Sequence, residues 1–392
     1  MRFWPRAQPW RNPWRQQQRA GEPLTLEQVL RGDNPVSDAG ITITPETAMR
    51  HSAVWACVWL LSDVISMLPL HVFKEGSKQP LPLPPLLRQP SADADLADFL
   101  AMTMTSLCLR GNAYGVVTQR HGGLLLPQQI ELVHPDVVQP PRVGATGEDN
   151  VYRVNGKPYE PADVWHPRAY RIPGSNVGLS PIRYAAQSIG LGLGAESFGA
   201  AFFGDRDAAG PGIPKGYLQN VARKIGPEQA AEVRSAWFQA LGGRRDLPIL
   251  GSDWAYKTVS IAPNESQFLE TTRANVAVIA RYFRVPPELV ASESGNSLTY
   301  ANMESRDLSF LVYGVTPWLT RLERAINPLL PKTQYCKFAT GGFARAALKP
   351  RYDAYGVALG NGQTPGWLTV DEVRALEDLE PMGEAPGFGA GS

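Results

Sequence analysis

Apolar residues recur with helical spacing in two long segments that flank a short polar loop. The first segment, residues 264–283, carries a stripe from Phe268 to Phe283 and ends before Pro286 and Pro287, which cannot continue a helix. The loop that follows comprises Ser292, Glu293, Ser294, Gly295, Asn296, Ser297, Leu298, Thr299 and Tyr300. A flexible polar loop held between two rigid helices is typical of a surface that touches another molecule, rather than of a catalytic pocket.

The second helical segment covers residues 301–327. Apolar positions at i, i+3, i+4 and i+7 predict a buried stripe formed by Leu308, Leu311, Val312, Val315, Leu319, Leu322 and Ile326. Pro317 lies within this stripe, so we expect a kink in the helix there.

Shorter elements are predicted along the rest of the chain. Helices are expected over residues 44–68, 94–109, 181–203, 227–241 and 345–359, with a last short helix opened by a capping box at Thr369 and Glu372. Strands are expected over residues 70–73, 113–117, 129–133, 151–154, 163–166, 216–219, 247–250, 256–261 and 334–338. The four strands between residues 113 and 166 suggest one small antiparallel sheet, and the fold class is α+β.

The length and net charge of the chain limit the number of modules and the kinds of function that we expect. A chain of 392 residues is expected to hold two or three modules. Lys and Arg number 38 against 37 Asp and Glu, so the formal net charge is +1. Proteins that hold nucleic acid tightly carry a basic surplus, because counterion release supplies the affinity. Any nucleic acid that this chain contacts is therefore expected to be held loosely.

Cysteine usage and hydropathy indicate an intracellular protein without a membrane segment. Cys57, Cys108 and Cys336 lie far apart in apolar surroundings, and no CxxC or Cys/His spacing suggests zinc. We expect three buried, reduced thiols. No apolar run reaches transmembrane length, and the first residues lack the apolar core of a signal peptide.

The two ends of the chain differ from the rest in composition. Residues 1–38 alternate Arg, Trp, Pro and Gln without a helical or strand period, which predicts an extended arm. Arginine interleaved with tryptophan suits nucleic acid or a partner groove, whereas the simpler interpretation is an arm that becomes ordered only against neighbouring subunits. Residues 383–392 are glycine-rich and are expected to be disordered.

No combination of residues points to catalysis. Gly190, Gly192 and Gly194 alternate, but they fall within a helical pattern opened by Ser180 and Pro181, whereas a dinucleotide-binding turn follows a strand. Close helix packing or a flexible point explains these glycines better. No Walker A, GxSxG or HExxH motif occurs, and the five histidines are scattered. The chain is therefore expected to be no enzyme and to need no cofactor or metal.

Several segments resemble, in order, the portal proteins of tailed double-stranded DNA bacteriophages, which form the ring at one capsid vertex. The similar segments are SAVWACV (52–58) with LPLHVF (68–73), LRGNAY (109–114), GLSPI (178–182), QFLE (267–270), FRVPP (283–287), PWL with LE and IN (317–327), and NG with WLTVDEVR (361–374). The resemblance spans residues 45–381, and the arm and residues 363–365 depart from the family pattern.

The resemblance implies a portal-type architecture with long stem and wing helices, a small β wing and an α/β clip. The implied divisions are an arm (1–38), the first part of the wing (39–178), a stem helix (179–204), the clip (205–262), a second stem helix (263–287), the tunnel loop (288–300), a long wing helix (301–331), a C-terminal wing or crown (332–382) and a disordered tail (383–392). A helix over 301–327 would be roughly 40 Å long.

The resemblance also implies sites and partners. The loop residues 292–300 would touch DNA in the channel, together with Arg273 and Arg281 of a stem helix, and the clip would bind its partners through Arg223, Lys224, Arg244 and Arg245. The implied partners are eleven further copies of the chain, the major capsid protein, the terminase packaging motor, a head–tail adaptor and double-stranded DNA held without sequence specificity. The implied location is the portal vertex of the virion, after assembly in the host cytoplasm.

Three other functions compete with the portal interpretation. A head–tail adaptor ring is the first alternative, although adaptors are usually shorter. A nuclease or ATPase of the packaging machine would need clustered carboxylates or a phosphate loop. A soluble cytosolic binding protein is the third, and only the portal interpretation predicts twelve-fold rings with a central hole.

Overall fold

The computed structural model describes residues 34–77, 79–123, 125–203, 216–220, 226–241, 254–258, 265–290, 306–340, 348–361, 364–377, 379–380 and 382. The predicted arm up to residue 33, the tail from residue 383 and the polar loop at residues 292–300 lie outside these ranges. The described residues form helices and small antiparallel sheets, which confirms the α+β class.

The α-helices mostly match the periodic segments. They are α1 (Pro45–Ala48), α2 (Ser52–Ser66), α3 (Pro85–Arg88), α4 (Leu96–Arg110), α5 (Pro181–Tyr184), α6 (Ala186–Phe203), α7 (Pro227–Leu241), α8 (Glu265–Phe283), α9 (Thr316–Ile326), α10 (Leu348–Leu359) and α11 (Val370–Leu376). Short 3₁₀ turns occur at Pro135–Val137, Gly147–Asp149, Pro161–Asp163, Pro287–Leu289 and Asn327–Leu329.

The strands are short, and every named pairing is antiparallel. They are β1 (Leu70–Lys74), β2 (Pro80–Leu81), β3 (Tyr114–Arg120), β4 (Pro127–Val133), β5 (Val138–Gln139), β6 (Tyr152–Val154), β7 (Lys157–Tyr159), β8 (Val164–Trp165), β9 (Gly216–Asn220), β10 (Trp254–Thr258), β11 (Gln334–Phe338), β12 (Gly360–Asn361) and β13 (Thr364–Pro365). The strand predicted at residues 247–250 lies outside the described residues.

One cluster of buried apolar residues, here called the main core, joins segments that are far apart in the chain. Helices α2 and α4 pack together, with Leu61 and Leu107 fully buried between them and the Ser62 hydroxyl 3.1 Å from that of Thr105. The cluster also includes residues of α5, α6, α8 and α9. Strand β1 closes it by pairing with β11, so that Leu70 lies opposite Phe338.

The prediction of a single sheet over residues 113–166 is wrong. Strand β3 lies between β4 and β8 in one three-stranded sheet, whereas β5, β6 and β7 form another. The cause is local, because Asn155 and Gly156 have φ values of 49° and 78°. Two successive residues with positive φ make the tight turn of a two-residue hairpin, so β6 pairs directly with β7.

The helix predicted over residues 44–68 is interrupted. Thr44 and Thr47 form a capping box for α1, which ends at Ala48. Helix α2 then starts anew, because His51 Nδ1 accepts a hydrogen bond from the backbone N–H of Ala53 at 3.2 Å. Histidine is not among the usual N-cap residues, so the sequence carries no obvious sign of this break.

The second long helix, here called the rod helix (residues 306–326), contains a wider turn that the sequence analysis did not predict. Residues 306–309 are helical, Phe310–Val315 form a π-helical turn, and α9 follows. The Thr316 hydroxyl donates to the Leu311 carbonyl at 2.8 Å. Pro317 has no N–H for a helical hydrogen bond and follows this π-turn, near the start of α9.

The predicted buried stripe of the rod helix is correct at five positions and wrong at two. Leu308 and Val312 are 55% and 46% exposed. The π-turn changes the helical phase ahead of α9, so Phe310 and Gly314 take inward positions instead. The correctly predicted buried residues are Leu311, Val315, Leu319, Leu322 and Ile326.

Close packing explains two of the three alternating glycines. Gly190 and Gly192 lie within α6, where a Cβ on Gly190 would overlap Ser37 and one on Gly192 would overlap His51 and Asn275. Gly194 has ordinary room. The interpretation of these glycines as helix-packing residues is confirmed for Gly190 and Gly192.

The three cysteines are free and buried, as expected. Burial raises the pKa of Cys57 and of Cys336 to about 12, and it raises the pKa of Cys108 as well. Each thiol therefore stays protonated; Cys57 and Cys108 pack as small apolar side chains, and the Cys336 thiol also donates to Asn327 Oδ1 at 3.2 Å.

Candidate functional site

The two long helical segments meet at a joint formed by Arg284, Val285, Glu288, Arg306 and Gly314. Helix α8 stops one residue before Arg284, which has a φ of 58°, in the left-handed region that side chains rarely adopt. The N–H of Val285 donates back to a carbonyl of α8 at 3.0 Å, and the Val285 side chain is 3% exposed. The chain thus turns sharply and is anchored in the main core. Strained backbone of this kind is concentrated at functional positions.

The π-turn of the rod helix packs directly against the strained residue. A Cβ on Gly314 would lie 2.9 Å from the carbonyl oxygen of Arg284 and 2.7 Å from the ring of Phe310. Only glycine permits this approach of two backbones. The joint therefore holds the end of α8 and the start of the rod helix in fixed contact.

An ion pair connects the two chain segments that leave the joint. Glu288 and Arg306 approach to 2.8 Å. The pKa of Glu288 is lowered, first by a hydrogen bond from its own backbone and further by Arg306. Both side chains are partly exposed, so the pair contributes little stability. Its consequence is geometric, because it brings together the two ends of residues 289–305.

The predicted DNA-contacting loop lies within that bracketed segment. Its residues, Ser292 to Tyr300, are outside the described part of the chain, which stops at residue 290 before the loop and resumes at residue 306 after it. The clip residues Arg223, Lys224, Arg244 and Arg245 also lie outside the described residues.

An aromatic residue that no sequence pattern marked, Tyr170, supports the joint. The guanidinium groups of Arg284 and Arg321 lie 5.2 Å and 4.7 Å from the ring centre of Tyr170, and the Trp318 ring meets Tyr170 at 5.4 Å. Such cation–π contacts connect the segment before α5 to both helices of the joint. A lone tyrosine among turn residues gives no sequence signal of this role.

Two of the segments that carry the portal resemblance meet at Asn112. Its Oδ1 accepts a hydrogen bond from the Gly178 N–H at 2.7 Å, and its Nδ2 donates to the Gly178 carbonyl at 3.1 Å. Gly111 has a φ of 73°, and a Cβ there would lie 2.5 Å from the carbonyl carbon of Leu179. These contacts explain why glycine and asparagine stand at these positions.

A buried histidine completes the Asn112 cluster. His166 Nε2 lies 3.0 Å from Asn112 Oδ1, and its Nδ1 lies 3.1 Å from the Tyr152 hydroxyl. Burial, with further contributions from Arg168 and Arg171, lowers the pKa of His166 to about 2. His166 is therefore neutral, and its role is structural.

His51 connects α6 and α8 to the main core. Its side chain is 3% exposed and lies beside Gly192 of α6, with Nε2 3.5 Å from Asn275 Nδ2 of α8. Burial lowers the pKa of His51, against a smaller opposing effect of Glu196. This three-way contact fixes the pair of long helices against the core.

A cleft of about 730 Å³ opens on another side of the core, next to α1. Arg110 lines it and forms ion pairs with Glu46 at 3.0 Å and Asp136 at 2.8 Å. Because two carboxylates already engage this guanidinium, the cleft does not present it as an open anion site.

The arginines predicted to face a channel lie on α8. Arg273 and Arg281 are both exposed, and eight positions put them about 80° apart around the helix. They therefore point in different directions, and Arg281 also lines a cavity beside the joint.

Within the described ranges, no group of three or more His, Cys, Asp or Glu residues is placed to hold a metal ion. No helix there is long and apolar enough to cross a membrane.

Comparison with known solved structures shows the same fold. The chain is similar to an HK97-family phage portal protein from Corynebacterium diphtheriae, with a TM-score of 0.56 and 20% identity over 74% of this chain and 93% of that one. It is also similar to a chain in the neck of a native gene transfer agent particle computed with C12 symmetry, with a TM-score of 0.59 and 22% identity over 86% of this chain and 92% of that one.

Comparison of sequences identifies the family. The chain is 31% identical to the probable portal protein of Streptomyces phage phiC31 over 90% of this chain and 79% of that protein. It is 28% identical to the portal protein of Enterobacteria phage HK97, over 89% and 84% respectively. The profile of the phage portal protein family, whose members are structural rather than enzymatic, matches residues 52–378. This chain therefore belongs to the phage portal protein family.

Proposed function

We propose that this chain is the subunit of a closed ring of twelve copies at one capsid vertex, through which double-stranded DNA is packaged and ejected. The observation that carries the proposal is the joint, where α8 and the rod helix meet in backbone contact and the Glu288–Arg306 pair brackets residues 289–305. In a ring, this arrangement would place residues 292–300 of every subunit at the same position along the ring axis. The C12 symmetry of the similar neck structure supports the number twelve.

The proposed channel wall follows the divisions that the sequence suggested. Helices α5 and α6 with α8 would form the stem, and the rest of the main core, including the rod helix, would form the wing. The polar loop, residues 292–300, would project towards the axis, with Asn296, Ser297 and Thr299 nearest the DNA. Apart from Asn296, its side chains make no bidentate base contact, so its hold on DNA would be weak and independent of sequence.

The net charge supports a channel that does not bind DNA tightly. A formal charge of +1 over 392 residues supplies little electrostatic attraction for phosphate. Arg273 and Arg281 are both exposed on the stem helix α8, and we assign Arg273 to the channel face. A duplex would slide past such a surface more easily than past a strongly basic one.

The remaining partners are assigned by region. The segment that includes strands β9 and β10 and helix α7 would be the clip, and Arg223, Lys224, Arg244 and Arg245 would contact the terminase motor or the head–tail adaptor. The wing would contact the major capsid protein, with assembly in the host cytoplasm. Packaging energy would come from the motor, since this chain carries no nucleotide-binding motif. The match to portal proteins over residues 52–378 favours this role over that of an adaptor ring.

Negative-stain microscopy and light scattering of the purified chain test the proposal. We expect twelve-fold rings with a central hole and no ATPase or nuclease activity when the motor is absent. A stable monomer at micromolar concentration, or ATP hydrolysis by the pure protein, would overturn it.

A variant of the loop tests the channel assignment separately. Replacing Gly295 with isoleucine restricts the backbone of the loop, so we expect normal rings but impaired DNA packaging or retention. Normal packaging by the Gly295→Ile variant would contradict this assignment.

A further inference from the structure

The rod helix carries apolar side chains on two opposite sides near its π-turn. Phe310 is 7% exposed on the side that faces the joint. Leu308 and Val312, one turn apart, are 55% and 46% exposed. Residues two positions apart along a helix lie on nearly opposite sides, so the protomer covers one side of this segment and leaves the other in water.

An acidic residue adjoins the exposed apolar pair. Asp307 precedes Leu308 and is itself exposed. We call Asp307, Leu308 and Val312 the knob. Exposed apolar side chains that cluster next to polar groups mark contact surfaces more often than isolated ones do.

A cavity of about 320 Å³ opens on the other side of the same segment. Val285, Pro286 and Phe310 form its apolar floor, and Arg281, Arg284 and Tyr313 line it further. Arg281 and Arg284 are exposed, and Tyr313 is 72% exposed. We call this set of residues the socket.

The knob and the socket are complementary in charge and in polarity. The knob joins one carboxylate to two aliphatic side chains, whereas the socket joins two guanidinium groups to an apolar floor. Both occur in every copy of the chain, on opposite sides of one helix, so a protomer cannot satisfy its own socket with its own knob. A surface that pairs with a different surface of an identical copy makes a heterologous contact, which closes into a ring when the rotation closes.

We propose that the knob of each subunit docks into the socket of the next subunit around the ring. This inference rests on the proposed ring. It adds which surfaces of neighbouring subunits touch each other beside the joint. Leu308 and Val312 then leave water against Val285, Pro286 and Phe310, and Asp307 pairs with Arg281 of the neighbouring copy. Arg281 accordingly serves the subunit contact, and Arg273 remains the channel residue.

A charge exchange tests the pairing in the full-length chain. Arg281→Glu and Asp307→Arg each place like charges together, and each is expected to raise the concentration for half-maximal ring assembly by about tenfold or more. The double variant restores opposite charges and should recover most of the loss. Native mass spectrometry measures assembly, and circular dichroism confirms that each variant is folded. If the double variant is as impaired as the sum of the single ones, Asp307 and Arg281 do not pair.

A matched pair of variants tests the apolar part. Val312→Glu should weaken ring assembly, because it buries a charge without a partner. Val143→Glu is the control, since Val143 is 56% exposed and lies outside the knob and the socket. Equal assembly of both variants and the unaltered chain would overturn the docking inference while leaving the ring itself in place.

Cross-linking identifies the occupant directly. A photoreactive amino acid at position 308, in rings mixed from isotopically light and heavy chains, should produce light–heavy cross-links to the peptides that contain Arg281 or Tyr313. Cross-links that join only chains of the same isotope, or that reach only residues 1–33, would show that the knob contacts something other than the socket of a neighbouring subunit. Either result would overturn the inference. If the unaltered chain forms no ring at all, the proposed function fails as well.

Discussion

The main core buries its apolar side chains, whereas the C-terminal unit, residues 348–382, leaves large apolar side chains exposed. In the main core, α2, α4 and α9 bury Leu61, Leu107 and Leu322 completely. Among the residues of this unit whose side chains the structure describes, Ala358 is the one buried apolar residue. Large apolar side chains there are exposed, among them Val357 at 76% and Trp367 at 74%.

The difference shows which region is expected to fold alone and which needs a neighbour. The main core gains its stability from apolar burial within one chain. The C-terminal unit is held by local hydrogen bonds, such as the capping box of Thr369 and Glu372, with N–H···O distances of 2.8 and 3.2 Å. We therefore expect amides of residues 348–377 to exchange rapidly in the unassembled chain and slowly in assembled rings, provided that neighbouring copies cover this unit.

The largest predicted effect contrasts one buried and one exposed side chain. Leu322→Ala removes a fully buried side chain from the main core and should lower the free energy of unfolding by about 2–5 kcal/mol. Val370→Ala, at a site that is 52% exposed, should change it by less than about 0.5 kcal/mol. Chemical denaturation followed by fluorescence measures both. If both variants lost similar amounts of unfolding free energy, the proposed contrast between the two regions would be wrong.

A glycine pair within α6 tests the packing of the main core more finely. Gly192→Ala forces a Cβ against His51 and Asn275 and should cost about 1–3 kcal/mol. Gly194→Ala places its Cβ 3.4 Å from the nearest atom, on Ala39, and should be neutral or stabilising by up to about 1 kcal/mol, since alanine favours helix. Thermal unfolding of the two variants compares them directly. A tolerated Gly192→Ala would show that the His51 contact does not fix α6.

Acid should destabilise the fold through His166, which packs against Tyr114 and Tyr152 outside the main core. The pKa of folded His166 is lowered to about 2, chiefly by burial, whereas an unfolded histidine titrates near 6.5. The unfolded state therefore binds more protons between these values. The contribution of His166 is complete above pH 6.5 and is lost as the pH falls. Between pH 6 and 5 the expected loss of unfolding free energy is about 1.2 kcal/mol for this residue, because the unfolded imidazole is mostly, but not fully, protonated in this range. His166→Gln should reduce this slope in denaturation measured at several pH values, and an unchanged slope would contradict the assignment.

The smallest predicted effect concerns the capping box of the C-terminal unit. Thr369→Ala removes the side-chain cap of α11 and should cost that helix about 1 kcal/mol. Global unfolding should change little, because the main core makes no use of this cap. Hydrogen exchange resolved by peptide distinguishes the two outcomes. If α2 and α4 lost as much protection against hydrogen exchange as α11, the C-terminal unit and the main core would unfold together.

The sequence predicted elements whose signals are local. Periodicity and capping residues located α4, α7, α8 and strand β11 to within about two residues of both observed ends, and they located the start of α11 equally well. The buried cysteines and the helical packing of Gly190 and Gly192 followed from the same reasoning. The portal resemblance, carried by ordered motifs, was confirmed by the family match.

Features that depend on distant contacts were not predictable in this way. The π-turn at Phe310–Val315 arises where Gly314 meets the strained Arg284, a contact between two segments. The break at His51 depends on an uncommon cap, and the support from Tyr170 depends on two arginines far along the chain. Leu308 and Val312 were assigned to the core because apolar periodicity does not distinguish a side covered by the protomer from one available to a neighbour.

Cryo-electron microscopy of the full-length chain with double-stranded DNA tests the central claim most directly. We expect a ring of twelve copies in which α8 faces a DNA-containing channel and residues 292–300 lie nearest the axis. A map that shows isolated protomers, or a ring with this loop on its outer rim and no DNA at the centre, would contradict the account.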